Sequence, residues 1–481
     1  MNAIATYFSE GKSVDDRLSP ILVKELRQGM RARLFVLSFL GLQIFLVLLT
    51  LGNLVAQNDR STLDTQSGFF WTILGFALLV LTPLRGLVAV SQEVKNRTLE
   101  TIMLTRLTAW RVVIGKWSAL FAQSVLLVSA VLPYVVVRYF IGGEDIVDDF
   151  KWIFLMLWLS GLLSAGSIAI SGLGNPVFRI FILIGIVIMG ATGAESAVAY
   201  GMTYIGGWET LGWLLVFGFF VPALLFELTA SGIAPASENH AIRRRLLAVL
   251  FFVTAVVLES ATHHRFLAGI AFALLALVGV CYFELTEKPR LLPRMAQAFG
   301  SRGWWGRSAG LFLLPGWPSG LIFSLLVIPA AMVFYDFVFL PPPAPDDWLF
   351  LIFAVLGSIL VPISICHFFW PKMNQVLLVV FFYNLALGII AGICEAFQML
   401  LHAKVNLVLA VLPGIPTYLT IHSVEDTVAY KETAAWHLLG NGFVLGFLIL
   451  ALFLDSRGYF RNLFQLYRSG GKQTAPEKPA A

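Results

Sequence analysis

Glu93, Arg97 and Glu100 stand at i, i+4 and i+7 in the stretch SQEVKNRTLETIMLTRLTAWRVVIGK, Ser91 to Lys116. Wound as a helix, the three share one face. The Glu93-to-Arg97 order favours a surface ion pair of about 0.3 kcal/mol. Leu104 continues the same stripe, while Val94, Leu99, Ile102 and Met103 lie on the other side with Lys95 intruding. A charged stripe closed by a leucine can hold a protein surface through ion pairs and an apolar knob. The same period also describes an amphipathic helix resting on lipid headgroups. Periodicity alone leaves both open.

Covalent, metal and cofactor chemistry find little support. The chain has no H-E-x-x-H, no C-x-x-C and no complete phosphate loop. Gly11-Lys12-Ser13 matches the end of a phosphate loop, but its first glycine would fall on Thr6 and no strand precedes it. His263-His264 sits beside Arg265 with no carboxylate or cysteine at ligand spacing. Cys281, Cys366 and Cys394 lie in or at the ends of apolar runs, without metal spacing and in odd number, so they read as packing residues. No catalytic, cofactor-binding or metal-binding set is therefore expected. Ionisable residues within spans are costly and are functional candidates by default. Arg85, Arg138, Glu227, Asp336 and Glu395 lie near span ends, where they are expected to snorkel to the interface. Glu195 lies deeper, beside Gly190-Ala191-Thr192-Gly193-Ala194, and is the one candidate for lining a pathway; it is also close to the outer surface.

The elements that must position these residues are membrane helices. The chain is 58% hydrophobic and only 13% charged, against roughly 25% charged in soluble domains. That much apolar side chain requires lipid as solvent. The net charge of +5 reads as topology rather than as an affinity for nucleic acid. Apolar runs predict twelve spans at 34–55, 68–90, 117–141, 152–172, 179–201, 210–230, 246–260, 266–283, 319–339, 348–370, 375–396 and 434–454. With the N-terminus inside, only Arg60, Lys151, Arg265, Lys404 and Lys431 fall on outer segments. Arg85 and Arg138 fall within spans, and the remaining 26 of 33 Lys and Arg fall inside, counting Arg179 at the inner end of its span. The bias places both termini in the cytoplasm of a multi-pass protein of the inner or plasma membrane. The first 33 residues are polar and mixed, so the first span is expected to anchor rather than to be a cleaved leader. Val405 to Ile421 is apolar but broken by Pro413, Gly414 and Pro416; crossing would turn the basic C-terminal segment outward, so a re-entrant hairpin is expected.

Two motifs carry a family likeness. E-x-x-x-x-T-L-E-x-x-x-x-T-x-L-T-x-x-x-x-x-x-G-K, on Glu93, Thr98, Leu99, Glu100, Thr105, Leu107, Thr108, Gly115 and Lys116, resembles the cytoplasmic loop of ABC-transporter permeases of the type-2, exporter-like class. Arg106 stands where that family often has proline. Ser19 to Gln28, SPILVKELRQ, is similar to the family's N-terminal N-P-x-x-x-K-E-L-R. The two cover about the first quarter of the chain. The resemblance implies a coupling helix at about 92–104, docked in a groove of a separate cytoplasmic ATP-binding ABC subunit through Glu93, Arg97, Leu99, Glu100 and Leu104. It implies an all-α, polytopic fold with a re-entrant element before the last span of the membrane domain.

The resulting organisation is a cytoplasmic tail and interfacial helix over 1–33, in which Ser19 caps a helix starting at Pro20. A six-span permease-like domain follows over 34–230, then a linking helix pair and basic loop over 231–318, a second membrane half over 319–458, and a cytoplasmic tail over 459–481. Partners would be the ATPase and the bilayer, with a second permease chain left open and no nucleic acid. Two other classes stand beside this reading: an ion-coupled secondary transporter, which calls for buried charges in broken helices, and a membrane-embedded lipid-modifying or glycosyl-transferring enzyme. For the latter only Asp145, Asp148 and Asp149 offer carboxylates, without a base or metal partner.

Overall fold

A computed structural model of the chain describes residues 20–55, 60–95, 108–142, 145–172, 208–235, 238–262, 267–289, 291–338, 345–370, 376–401, 413–415 and 427–469. Among them every regular element is helical. Among the described residues nine helices are long and apolar enough to cross a membrane, the architecture of a multi-pass membrane protein. The chain divides into two compact units, Met1–Pro235 and Ala236–Ala481. The segment expected to link two membrane halves therefore belongs, from residue 236 onward, to the second unit.

In the first unit α1 (Pro20–Arg31) leads into α2 (Arg33–Val55). Apolar residues surround α2 on all sides: Leu42 and Leu46 are buried while Leu37, Ile44 and Leu48 are exposed, as suits a helix with one face on protein and the rest in lipid. Next, α3 (Arg60–Gly75) runs through one wide turn, Phe76–Leu81, into α4 (Thr82–Lys95). The wide turn has a local cause. Pro83 has no N–H to donate to the preceding turn and its ring crowds the carbonyl four residues back. The backbone N–H of Thr82 instead reaches the Ala77 carbonyl, five residues back, and its hydroxyl donates to the same oxygen at 3.1 Å.

Helix α5 (Ala109–Gly142) has 34 residues, about 50 Å of helix, against a hydrocarbon layer of about 30 Å. Its first turns must project beyond the layer or tilt strongly. Asp145 caps α6 (Ile146–Ser171), accepting from the Val147 N–H at 2.9 Å, and Asp148 and Asp149 follow in the first turn. Helix α7 (Trp208–Ile233) closes the unit. α5 is its hub, touching α1, α2, α4, α6 and α7. Small residues bring α5 against α6, where the hydroxyls of Ser124 and Ser160 meet at 2.9 Å.

The second unit comprises α8 (Ala241–Ala261), α9 (Leu267–Thr286), α10 (Pro293–Gly300), α11 (Gly303–Leu313), α12 (Trp317–Val338), α13 (Pro345–Phe369), α14 (Val376–Leu401) and α15 (Thr427–Ser469). Leu321, Ile328, Leu360 and Leu445 lie in one core built by α9, α12, α13 and α15. The region expected to be a loop, 284–319, folds instead into the short helices α10 and α11. Ala296 and Leu314 are buried there against Leu463 and Tyr467 of α15. The last helix accordingly continues to Ser469, well past the expected end of its span.

Of the twelve expected spans, nine correspond to the long apolar helices. Two more correspond to α8, which carries Arg243, Arg244, Arg245 and Glu259, and to α14, whose apolar stretch is the shorter Val379–Cys394. The expected span at 179–201, with Glu195, lies outside the described residues.

Candidate functional site

The 91–116 stretch has two helical roots. Its first residues continue α4 to Lys95, and from Ala109 it is the start of α5. The backbone at Glu93 is thus helical, as the last turn of α4. Arg97, Leu99, Glu100 and Leu104 lie outside the described residues, as do His263, His264 and Arg265.

The α5 root is fastened on three sides. Helix α1 runs lengthwise beside it in the same direction: Ile21 lies against Gly115, Glu25 against Lys116, and Gly29 against Gln123. The Lys116 ammonium meets the Glu25 carboxylate at 2.9 Å with only 4% of the lysine side chain exposed. Gly115 is required by the approach itself, because a Cβ there would lie 2.8 Å from the Ile21 Cγ2. The expected interfacial helix is therefore also a helix packed on protein.

Arg85 of α4 closes the same corner. It donates to the Gln123 side-chain oxygen and, at 2.8 Å, to the Gly29 carbonyl in the last turn of α1, which also accepts from the Ala32 N–H at 3.2 Å. Arg85 thus turns into the protein and not to the headgroups. The second side is α7: the Trp110 indole N–H donates to Glu227, which is wholly buried, and its ring meets Phe226 edge-on at 6.0 Å. The third is α6, where the Trp117 indole donates to the Gly161 carbonyl at 2.9 Å. A movement at Ala109 would pass through these contacts to α1, α4, α6 and α7.

Snorkelling also fails for Arg138 and Glu227. The Arg138 guanidinium lies over the Phe70 ring at 4.4 Å and near Trp71 at 5.4 Å, and is 3.6 Å from Asp149, with both charged groups buried. Facing aromatic rings and a carboxylate replace the headgroups as the environment of that cation. Side chains of Asp336 and Glu395 lie outside the described residues.

The second unit holds a buried charge cluster absent from the sequence expectations. Arg244 donates to Glu284 at 2.9 Å and to Glu287 at 2.6 Å; Arg245 donates to the other oxygen of Glu284 and to the Phe312 carbonyl. Burial opposes the Arg244 charge, but Glu284 and Glu287 outweigh it and hold its pKa above the ordinary arginine value. Two of three adjacent arginines that read as topology markers are thus internal, and only Arg243 is exposed. The cluster ties α8 to α9 and to the end of α11. Every charge in it has an opposite partner, so it suits a structural joint better than proton transfer.

Only Pro413–Ile415 of the expected re-entrant stretch is described. It sits against the middle of α13 and against α14. Tyr383 donates to the Pro413 carbonyl at 2.9 Å, and the Ile415 N–H donates to the Ser358 hydroxyl at 2.9 Å. Gly357 leaves the room, since a Cβ there would lie 2.7 Å from the Pro413 carbonyl group. Broken backbone among apolar helices is satisfied here by protein groups, as the low dielectric demands.

Gly306-Arg307-Ser308-Ala309-Gly310 has the G-x-S-x-G spacing of a serine nucleophile. It lies inside α11, and the Ser308 hydroxyl donates to the Trp304 carbonyl at 3.1 Å. That is an ordinary helical side-chain bond rather than a strand-to-helix elbow. Among the described residues no group of His, Cys, Asp or Glu could hold a metal ion. Glu227, Arg138 and the Arg244–Glu284 pair were legible only as charges inside or beside apolar runs; their partners lie on other helices, beyond the reach of any local pattern. No family model, no curated protein and no solved structure matches the chain.

Proposed function

We propose that the chain is the membrane-spanning permease subunit of an ABC transporter, moving its substrate with ATP hydrolysed on a separate cytoplasmic subunit. In this reading twelve spans cross the inner or plasma membrane with both termini in the cytoplasm. The helix at about 92–104 docks on the ATPase through Glu93, Arg97, Leu99, Glu100 and Leu104. Nucleotide-driven closure of two ATPase subunits pushes that helix, and α5 carries the push into the bundle.

The observation that supports this best is the meeting of the two motifs that carry the resemblance. Glu25 belongs to the N-terminal K-E-L-R segment and Lys116 to the terminal G-K of the loop motif, and they form an ion pair in which the lysine is buried. Motifs far apart in sequence are thus parts of one mechanical joint. A force-transmitting loop requires such a joint, because a freely hinged root would dissipate the displacement before it reached the spans.

The test is affinity purification of the full chain with identification of ATP-hydrolysing companions. The wild type should retain an ABC ATPase, and Glu100→Lys should abolish stimulation of its ATPase activity while leaving the permease folded. Wild-type capture and transport by the Glu93→Ala/Glu100→Ala variant would refute the docking assignment. Recovery of no ATPase at all would refute the permease reading.

A further inference from the structure

Helices α10 and α11 and the last turns of α15 form a small module with two unlike faces. Inward, Ala296, Leu314, Leu463 and Tyr467 make a closed apolar cluster. Tyr467 organises it, packing over Gly300 of α10 and Gly310 of α11. Outward, Ser301 to Trp305 is exposed without interruption. Trp304 and Trp305 are 69% and 79% exposed, their rings in edge contact at 4.8 Å. Two adjacent indoles left this open need a covering that is apolar to their rings and polar to their N–H groups.

The charge around them is one-sided. Arg302 and Arg307 flank the indoles, and Arg461 and Arg468 line the exposed side of α15, with Phe464 between them. Arg307 lies near enough to the Tyr467 phenol for its charge to act there, which brings α11 and the end of α15 to one place. Of the described carboxylates of this part of the unit, Glu284 and Glu287 hold Arg244 and Arg245, while Asp455 is hydrogen-bonded to His367 at 2.7 Å and Glu238 to His240 at 3.0 Å, two negative charges outnumbered by the exposed Arg302, Arg307, Arg457, Arg461 and Arg468. The exposed arginines are therefore a net positive field beside exposed indoles.

We propose that this module binds anionic phospholipid, with Trp304 and Trp305 among the upper acyl chains and Arg302, Arg307 and Arg461 on the phosphates. Charge complementarity selects this occupant. Indoles settle at headgroup depth, and arginine offers forked donors to phosphate. The zwitterionic alternative leaves the net positive field uncompensated. The inference needs only the membrane placement of the chain and is independent of any ATPase.

The test uses the full chain reconstituted in bilayers containing brominated lipid, either phosphatidylglycerol or phosphatidylcholine, at equal bromine content. Bromine quenches nearby indoles. The chain has 13 tryptophans, so the signal of the pair is the difference between wild type and Trp304→Phe/Trp305→Phe. The expected result is stronger quenching of that difference by brominated phosphatidylglycerol. Arg302→Gln/Arg307→Gln/Arg461→Gln should remove the preference, each arginine contributing up to about fivefold in lipid association. Equal quenching of the wild-type pair by the two lipids would overturn the proposal, as would no quenching by either, which would place the indoles on water or protein. A preference unchanged in a triple variant of wild-type helicity would overturn the arginine assignment.

Discussion

The Nζ of Lys116 lies 2.9 Å from the Oε1 of Glu25, across 91 residues of sequence, with the lysine almost wholly buried and the glutamate about one-fifth exposed. The pair joins the first turns of α5 to α1 beside the close contact of Ile21 with Gly115. If the 96–107 segment is displaced, this contact predicts that α1 and α5 go together.

The unequal burial of the two partners predicts unequal losses. Glu25→Ala leaves a cation in a low-dielectric corner without that countercharge, which costs about 3 kcal/mol. Lys116→Ala leaves a carboxylate that can turn to water and should cost about 1 kcal/mol. Thermal unfolding in one detergent ranks the two, and the exchange Glu25→Lys/Lys116→Glu should recover part of the loss. Equal losses from the single variants would mean that the pair contributes through packing alone.

Within the second unit, Glu284 and Glu287 differ in the same way. Glu284 is wholly buried and accepts from two guanidinium groups, whereas Glu287 is 32% exposed and accepts from one. Glu284→Gln should destabilise by about 3 kcal/mol or more, and Glu287→Gln by about 1 kcal/mol. The midpoint of helix loss in a denaturant series separates them. A Glu284 variant as mild as the one at Glu287 would show that the cluster is open to solvent.

Gly357 and Gly392 provide a matched pair for the broken stretch. Both lie in membrane helices of the second unit, but a Cβ at Gly392 meets nothing while one at Gly357 meets Pro413. Gly357→Val should therefore expel Pro413–Ile415 and cost about 1–3 kcal/mol by overpacking. Gly392→Val should leave stability unchanged or slightly raised, because valine exceeds glycine in helix propensity. Equal melting of the two variants would place the Pro413 segment away from α13.

These contrasts show which parts of the molecule a local reading can reach. Helices α2, α6, α7 and α9 follow from length and apolarity, since lipid leaves the backbone no other way to satisfy itself. Pro20 announced the start of α1. Helices α10 and α11 escaped because their burial is against Leu463 and Tyr467, more than 140 residues on, and their polar residues imitate a loop. Arg244 was legible as a charge beside an apolar run, but its burial and pairing were not, because its partner Glu284 lies on another helix. Snorkelling failed at Arg138 for the same reason: Phe70 and Trp71 come from α3 and Asp149 from α6. The joint at Gly115 and Lys116 was visible as a motif, but its contact with Ile21 and Glu25 was not, since no sequence period connects residues that far apart.

That joint can be locked to learn whether it is rigid in use. The Cβ position at residue 115 lies 3.2 Å from the Ile21 Cβ, slightly inside the range of about 3.5–4.5 Å found across disulfides. Replacing isoleucine by cysteine removes the crowding Cγ2, so Ile21→Cys/Gly115→Cys should oxidise readily in the full chain after a shift of a few tenths of an ångström. Under the proposed permease function, if α1 and α5 move as one body, the oxidised protein should stimulate the proposed ATPase partner as well as the reduced one. Stimulation that is lost on oxidation and returns with reductant would show that the two helices part during turnover, and the push from the 91–116 stretch would then have to travel through α6 and α7 by way of Trp117 and Trp110.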